Sequence, residues 1–388
     1  MKKILIITSR VPYPPVGGDR LKNYWLLNIL SRHFNVHLVS ITESEVPAEF
    51  YEWADKIGII YKIFKKSKIK SYFNAFKGLF KNTPLQVSYY YFNDIKKYID
   101  LIYKDYDLII STLIRTAEYV IDKDKLKILD MADSIGFNYL KSSSKSHSIV
   151  WKIIYKIESN RLLKFEDLCI DKFNKTLFFN REEEKYFNKS LKTYCIPHGV
   201  NEYLLNYEKT NGNYKNWVVF FGKMDYQPNI DAVMWFVKNV SPELNKDIRF
   251  GIVGAYPPKN ILELKNKYEN IEITGFVDDP YIILKSAICV VAPMQTGGGI
   301  QNKVLEAMAL GTVNIVSLLA SKPIGAKDMS DFIVEDEPSK IAMIINDIYN
   351  NPHRYEYIKK SAREYIKNNF TWTIYEKNLL NIIEEVLR

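Results

Sequence analysis

The stretch from Ala292 to Gly311 carries the densest chemistry in the chain. Gly297, Gly298 and Gly299 are followed by Ile300, Gln301, Asn302, Lys303 and, one turn on, Glu306. Consecutive glycines let backbone N–H groups approach a ligand closely. A helix opening at Ile300 presents about half a positive charge at its N-terminus, which favours an anion such as a phosphate. Asn302 and Glu306 are four apart and share one helix face. Glu306 can accept hydrogen bonds from ribose hydroxyls, as acidic residues do in dinucleotide sites, and Lys303 can reach a phosphate. The bland alternative is a glycine turn with a Lys303–Glu306 surface pair.

Three shorter stretches add to it. Phe220-Phe221-Gly222-Lys223 places Lys223 at a strand's carboxyl end, where a diphosphate would lie; Asn229, further on, can cap a helix that starts at Ile230. Gly17-Gly18 follows the first strand and precedes a helix, which suits an anion or a plain turn. Leu129-Asp130-Met131-Ala132-Asp133-Ser134 ends another strand; Asp133 can orient a sugar hydroxyl or cap the next helix.

Several chemistries lose support. Neither the G-x-G-x-x-G nor the G-x-x-x-x-G-K-[ST] pattern occurs, and there is no G-x-S-x-G elbow. The histidines at 33, 37, 147, 198 and 353 have no metal-ligand spacing, and the 3 cysteines form no C-x-x-C pair. Asp105-Tyr106-Asp107 is a D-x-D string, but it leads into a strand and so sits at the wrong end of a sheet.

The elements that must position these residues alternate. Lys3–Thr8, Asn35–Ile41, Asp107–Leu113, Lys127–Met131 and Thr176–Asn180 read as strands of the first half, which Thr193–Pro197 closes. Tyr207–Asn216 reads as a linker. Trp217–Gly222, Arg249–Gly254, Ile271–Gly275, Ala287–Pro293 and Val313–Ser317 read as strands of the second half, separated by helices that include Ile300–Ala309. Such alternation predicts an α/β fold of two Rossmann-like domains, with ligands beyond the carboxyl ends of the strands and a cleft where the domains face each other. A last helix is predicted from about Trp372 to Arg388.

The chain of 388 residues is long enough for two cores, and its ordinary composition excludes wholesale disorder. Neither a signal-peptide core nor a bilayer-spanning run is found, so a cytoplasmic protein is expected. Lys+Arg 54 against Asp+Glu 45 leaves +9, which predicts an anionic partner. From Lys56 to Phe92 there are eight lysines and no acid, and around Lys68–Lys81 the residues Ile69, Tyr72, Phe73, Phe76 and Phe80 follow helical spacing. This basic amphipathic helix suits the inner membrane surface, or it packs its aromatics into its own domain. No nucleic-acid motif accompanies it, and no nucleic acid is expected as a partner.

In this order the motifs resemble glycosyltransferase family 4 of the GT-B fold, in particular the subgroup associated with bacterial exopolysaccharide synthesis. The resemblance rests on the Pro-rich Gly17-Gly18 loop, on Gly222-Lys223-Met224-Asp225-Tyr226-Gln227-Pro228-Asn229, on Gly275-Phe276-Val277-Asp278-Asp279 and on Lys303-Val304-Leu305-Glu306-Ala307-Met308-Ala309-Leu310-Gly311-Thr312. It implies an acceptor-side domain over 1–206, a nucleotide-sugar domain over 207–370, and a terminal helix, 371–388, packing back on the first domain. It implies retaining transfer from a nucleotide-diphosphate sugar to a saccharide or lipid-linked acceptor, with no metal or other cofactor. Carried over, Glu306 matches the second glutamate of the E-x7-E motif and holds the ribose; Lys223 holds the diphosphate; Gly17 and Gly18 lie near the phosphates. Ile196-Pro197-His198-Gly199-Val200-Asn201 matches a pattern that usually reads Pro-Asn-Gly-Val-Asp. The chain departs in three places. Gly298 stands for the first glutamate of E-x7-E. Asn229 stands for a second phosphate-binding lysine, for which Lys303 can substitute. Ala132 stands for a histidine, which leaves Asp130 or Asp133 to activate the acceptor. The expected catalytic groups are therefore Lys223, Asp133 and Glu306. A 2-epimerase of the same fold and a non-catalytic sugar-nucleotide binder remain as alternatives.

Overall fold

The structure is a computed structural model that describes residues 1–80, 83–145, 149–297 and 299–388. Lys81 and Gly298 thus lie outside the described residues. The chain divides into two compact units, Met1–Pro197 with Glu376–Arg388, and His198–Tyr375.

Unit 1 is built on β1 (Lys3–Thr8), β2 (Asn35–Thr42), β3 (Ile60–Lys65), β4 (Leu108–Thr112), β5 (Lys127–Ala132), β6 (Lys175–Phe178) and β7 (Thr193–Cys195). Among the described residues these form one parallel sheet in the order β3-β2-β1-β4-β5-β6-β7. Helices on both faces explain the unbroken apolar run of β1, whose Ile4, Leu5, Ile6 and Ile7 are fully buried. Burial of side chains of this size contributes about 1.5–3 kcal/mol each. The helices of unit 1 that matter below are α1 (Gly18–Leu30), α2 (Lys68–Gly78), α3 (Leu85–Tyr89), α4 (Ile135–Lys145), α5 (Ile149–Lys172) and α6 (Arg181–Phe187). Strand β3 was not anticipated from sequence: it is an edge strand, half-exposed and studded with lysines, and edge strands carry lysine to discourage pairing with other chains.

Unit 2 repeats the plan with β8 (Trp217–Phe221), β9 (Arg249–Val253), β10 (Ile271–Gly275), β11 (Cys289–Ala292), β12 (Asn314–Val316) and β13 (Ile333–Val334). Their order is β10-β9-β8-β11-β12-β13, again parallel throughout. The order reverses between β8 and β11, so their carboxyl ends flank the crevice where such sheets take ligands. Two helices border that crevice, α7 (Gln227–Asn239) after β8 and α8 (Asn302–Ala309) after β11. The fold is thus two Rossmann-like domains, each with its own core.

The division between the units differs from the sequence expectation. It falls at Pro197/His198 rather than after residue 206, because Val200, Leu204 and Tyr207 are buried in the core of unit 2 and Val200 bridges to Thr371. The terminal helix α9 (Trp372–Leu387) starts in unit 2 and from Glu376 on is part of unit 1. There Glu376 pairs with Arg32 at 2.6 Å and with His33 at 2.9 Å, Glu385 pairs with Lys175 at 2.6 Å, and the carbonyl of Leu387 accepts from Lys2.

Candidate functional site

The switch-point crevice of unit 2 is assembled from three strand ends. The N–H of Gly222 donates to the Val253 carbonyl, that of Gly254 to Gly275, and that of Met224 to Ala255. At Gly254 a Cβ would stand 1.8 Å from the Gly222 carbonyl oxygen, so any side chain there would push the Gly222-Lys223 turn out of place. On the other side of the crevice Gly297 and Gly299 have φ of +99° and +75°, and the loop packs on Pro228 at the start of α7. This left-handed backbone keeps Gly297 and Gly299 out of the helix. Helix α8 begins at Asn302 and not at Ile300, with Gln301 as an N-cap that makes no side-chain capping bond. Among the described residues its first N–H groups have no side-chain acceptor from the N-cap, which leaves them open to an anion.

Lys303 lies one residue into α8 and is buried. Its ammonium donates to the Asn229 side-chain oxygen, lies 3.7 Å from the Met294 sulfur and 4.6 Å from the centre of the Phe220 ring. Burial pushes its pKa down to about 7, against which the Glu306 charge works. This overturns the surface-pair alternative, because Lys303 turns inward to a neutral oxygen. Asn229 is likewise no cap: α7 begins at Gln227, and the Asn229 side chain donates back to the Lys223 carbonyl at 2.8 Å while receiving Lys303. The sequence reading missed this role, since an Asn before an apolar helix is read as a cap by default.

Glu306 is half-buried on the same helix, and burial pushes its carboxyl up to about 7, with Lys303 working against that. Tyr203 and Tyr281 share its surroundings, with ring centres 5.9 Å apart. Burial, with a contribution from Glu306, raises both phenols. Neither tyrosine carried a sequence signal, since nothing in its local pattern marks a site. Lys223 stands exposed at the end of β8, paired with Asp225 at 3.0 Å and lying over the Tyr256 ring at 5.2 Å. Such an exposed pair contributes little to stability, so exchanging Asp225 for a phosphate is inexpensive.

The remaining predicted residues lie in unit 1. Gly17, with φ of +94°, is the N-cap of α1, and Gly18 is its first residue; both are exposed. Asp130 is not available to a ligand: it is buried on β5 in an ion pair with the equally buried Lys22 of α1. Asp133 follows Ala132, whose φ of +60° is strained for a residue with a Cβ. Its carboxyl is pushed up to about 6 by burial, and its Oδ1 is buried without a hydrogen-bond partner among the described residues. Asp133 is not the helix cap, because the Ser134 hydroxyl accepts from the Phe137 N–H. Glu183 and Glu166, not singled out by sequence, hold Ser134: Glu183 accepts its N–H, and Glu166 accepts its hydroxyl at 2.6 Å. Burial, and for Glu183 the Asp133 charge, pushes these carboxyls up to about 8 and about 7.

Residues 215–351 match the family described as glycosyl transferases group 1. This segment is a glycosyltransferase domain, in a chain of the GT-B fold. A Klebsiella pneumoniae relative, described as an uncharacterized 44.6 kDa protein in the cps region, is 23% identical, with 95% of this chain and 97% of that one covered. Among solved structures, Anabaena HepE in complex with UDP superposes on this chain with a TM-score of 0.70 at 12% identity, covering 99% of this chain and 100% of that one. Sucrose-phosphate synthase from Thermosynechococcus elongatus gives 0.69 at 15% identity, covering 100% and 99%. At these identities the likenesses establish the fold. The matched segment contains the switch-point crevice of unit 2, from β8 through α8.

Proposed function

We propose that the chain is a retaining glycosyltransferase that moves a sugar from a nucleoside-diphosphate sugar to a saccharide or lipid-linked acceptor in bacterial polysaccharide synthesis. The observation that carries this reading is the buried Lys303 ammonium, set at the switch point against a neutral oxygen and not a carboxylate. A buried cation whose direct hydrogen-bond partner is neutral is unfavourable until an anion arrives. Structures of HepE with UDP and with UDP-glucose, and the cps-region relative, support a nucleotide-sugar donor and an envelope polysaccharide setting.

In this reading the diphosphate lies between Lys223 and Lys303, over the N–H groups of the glycine loop and the start of α8. Departure of the nucleoside diphosphate builds negative charge on the leaving oxygen, and both ammoniums stabilise that charge as it develops. Glu306 holds the ribose. With two lysines at the diphosphate, the reading needs no metal. Attack from the face of departure lets the leaving phosphate take the acceptor proton, and Asp133, near neutrality and with a free oxygen, orients the acceptor hydroxyl. The enzyme works in the cytoplasm, at the inner face of the cytoplasmic membrane when the acceptor is lipid-linked.

A panel of nucleoside-diphosphate sugars, assayed for nucleotide release with and without a glycan acceptor, tests this. Acceptor-dependent release and a product with the donor's anomeric configuration are expected. An inverted product overturns the retaining assignment, and an isomerised donor without transfer overturns the reading as a whole.

A further inference from the structure

Helix α2 inverts the usual arrangement of an amphipathic helix. Its buried positions are Ser71 and Gly78, and its large apolar side chains face solvent. Ile69, Tyr72, Phe73, Phe76 and Phe80 are 82%, 66%, 58%, 58% and 80% exposed. The orientation is locked from beneath. A Cβ at Gly78 would stand 2.4 Å from the Ser88 hydroxyl of α3, and the Asn74 side chain donates to the Tyr91 carbonyl at 2.8 Å. Rotating the aromatics inward would drive them into α3. The aromatics therefore have no place in the core of unit 1, and a monomeric protein rarely leaves a contiguous aromatic face in water without using it.

The charge around this face suggests its occupant. Lys68, Lys70 and Lys77 are exposed on the same helix and Lys62 on the neighbouring β3, and no Asp or Glu lies between residues 56 and 92. Lys77 lies 4.5 Å from the centre of the exposed Phe73 ring, so cation and aromatic share one surface. A protein groove would normally require some acidic complement on this side, whereas a uniformly negative plane requires none. We infer that the α2 face docks on an anionic phospholipid bilayer, with Ile69, Phe73, Phe76 and Phe80 in the headgroup–acyl boundary and the lysines on the lipid phosphates. The inference deepens the lipid-linked half of the proposed function and names the surface that would bring the enzyme to such an acceptor. No described helix is long and apolar enough to cross a membrane, and this mode needs none.

Vesicle co-sedimentation of the full chain tests docking apart from transfer. We expect binding to phosphatidylglycerol vesicles that weakens as salt rises, with little binding to phosphatidylcholine. Lys68→Glu/Lys70→Glu/Lys77→Glu and, separately, Phe73→Ser/Phe76→Ser/Phe80→Ser should each lower the partition coefficient by about tenfold or more. Both sets are on the surface, so unchanged melting temperatures and unchanged transfer to a water-soluble acceptor are expected. Equal, negligible binding to both vesicle types overturns docking and leaves the donor site untouched. So does binding that responds to the lysines but not to the aromatics, since that is attraction without insertion. A wild-type dimer that the Phe variant dissolves assigns the face to a second copy instead. Loss of transfer to soluble acceptor with vesicle binding intact would count against the catalytic reading, not this one.

Discussion

Lys22 and Lys303 invite comparison. Each is a buried lysine on the helix beside a strand of a parallel sheet, 3% and 7% exposed, and burial pushes the amine of each down. They differ in what faces them. Lys22 meets the carboxylate of Asp130, itself 2% exposed, and the pair closes on itself inside unit 1. Lys303 meets the oxygen of Asn229, a thioether and a ring face, with a half-buried Glu306 one turn along its helix. The lesson is that burial alone does not mark a functional lysine. Lys22 is part of the fold because its charge is matched; Lys303 is suited to a ligand because its nearest partners are neutral.

The sharpest way to break this comparison is the same substitution at both places. Lys22→Met should strand the Asp130 carboxylate and destabilise unit 1 by about 3–5 kcal/mol. Lys22→Met/Asp130→Leu should recover most of that. Lys303→Met should keep or raise the melting temperature while turnover falls by about a hundredfold or more, near 2.7 kcal/mol. If Lys303→Met melts as early as Lys22→Met, the contrast fails. Denaturation and steady-state kinetics on the three variants decide it.

The next largest effect is on pH. Lys303 titrates near 7 when free and must be charged to hold a diphosphate, so donor affinity should fall as pH rises above about 7. Glu306 also titrates near 7 and must be ionised to accept ribose hydroxyls, so affinity should fall again as pH drops below about 7. Calorimetric titration with donor across this range should therefore give a maximum near neutrality. Lys303→Arg should flatten the alkaline side and Glu306→Gln the acid side. A flat profile in the wild type would remove Lys303 from the phosphate.

Glu306→Ala should keep the fold and lose about tenfold or more in kcat/KM, about 1.4 kcal/mol. Unchanged kinetics with the preferred donor would reduce Glu306 to a helix surface residue. The smallest expected effect is none: excess EDTA should leave transfer unchanged, because two lysines neutralise the diphosphate. Activity abolished by EDTA and restored by Mn²⁺ would return attention to Asp105 and Asp107.

Much of the architecture was legible from local pattern. Strands buried on both faces read as continuous apolar runs, so Ile4–Ile7 and Val218–Phe220 announced themselves, as did the glycine loop and the helix bearing Glu306. What was not legible depended on neighbours distant in sequence. The edge strand β3 resembled a solvated lysine tract because it gains its order from pairing with β2, residue for residue from His37 to Thr42. The unit boundary was read at the polar Asn-Gly-Asn segment, whereas the core contacts of Val200 and Leu204 place it earlier.

The sequence by itself determined the alternation of strands and helices, the strand-end positions of Gly222, Lys223, Gly297 and Gly299, and the presence of Lys303 and Glu306 three residues apart in a single short helix. Those features follow from periods of two and 3.6 residues, which act within a dozen positions. Only the tertiary structure decided which way the side chains turn. It brought Lys303 to Asn229, 74 positions away, and so moved a cation to the place where the resemblance had left a gap. It closed Asp130 with Lys22 and left an oxygen of Asp133 open. It packed Ser71 and Gly78 inward on α2 and left the aromatics out. In each case local pattern left more than one orientation open, and the contacts available on the neighbouring element selected one.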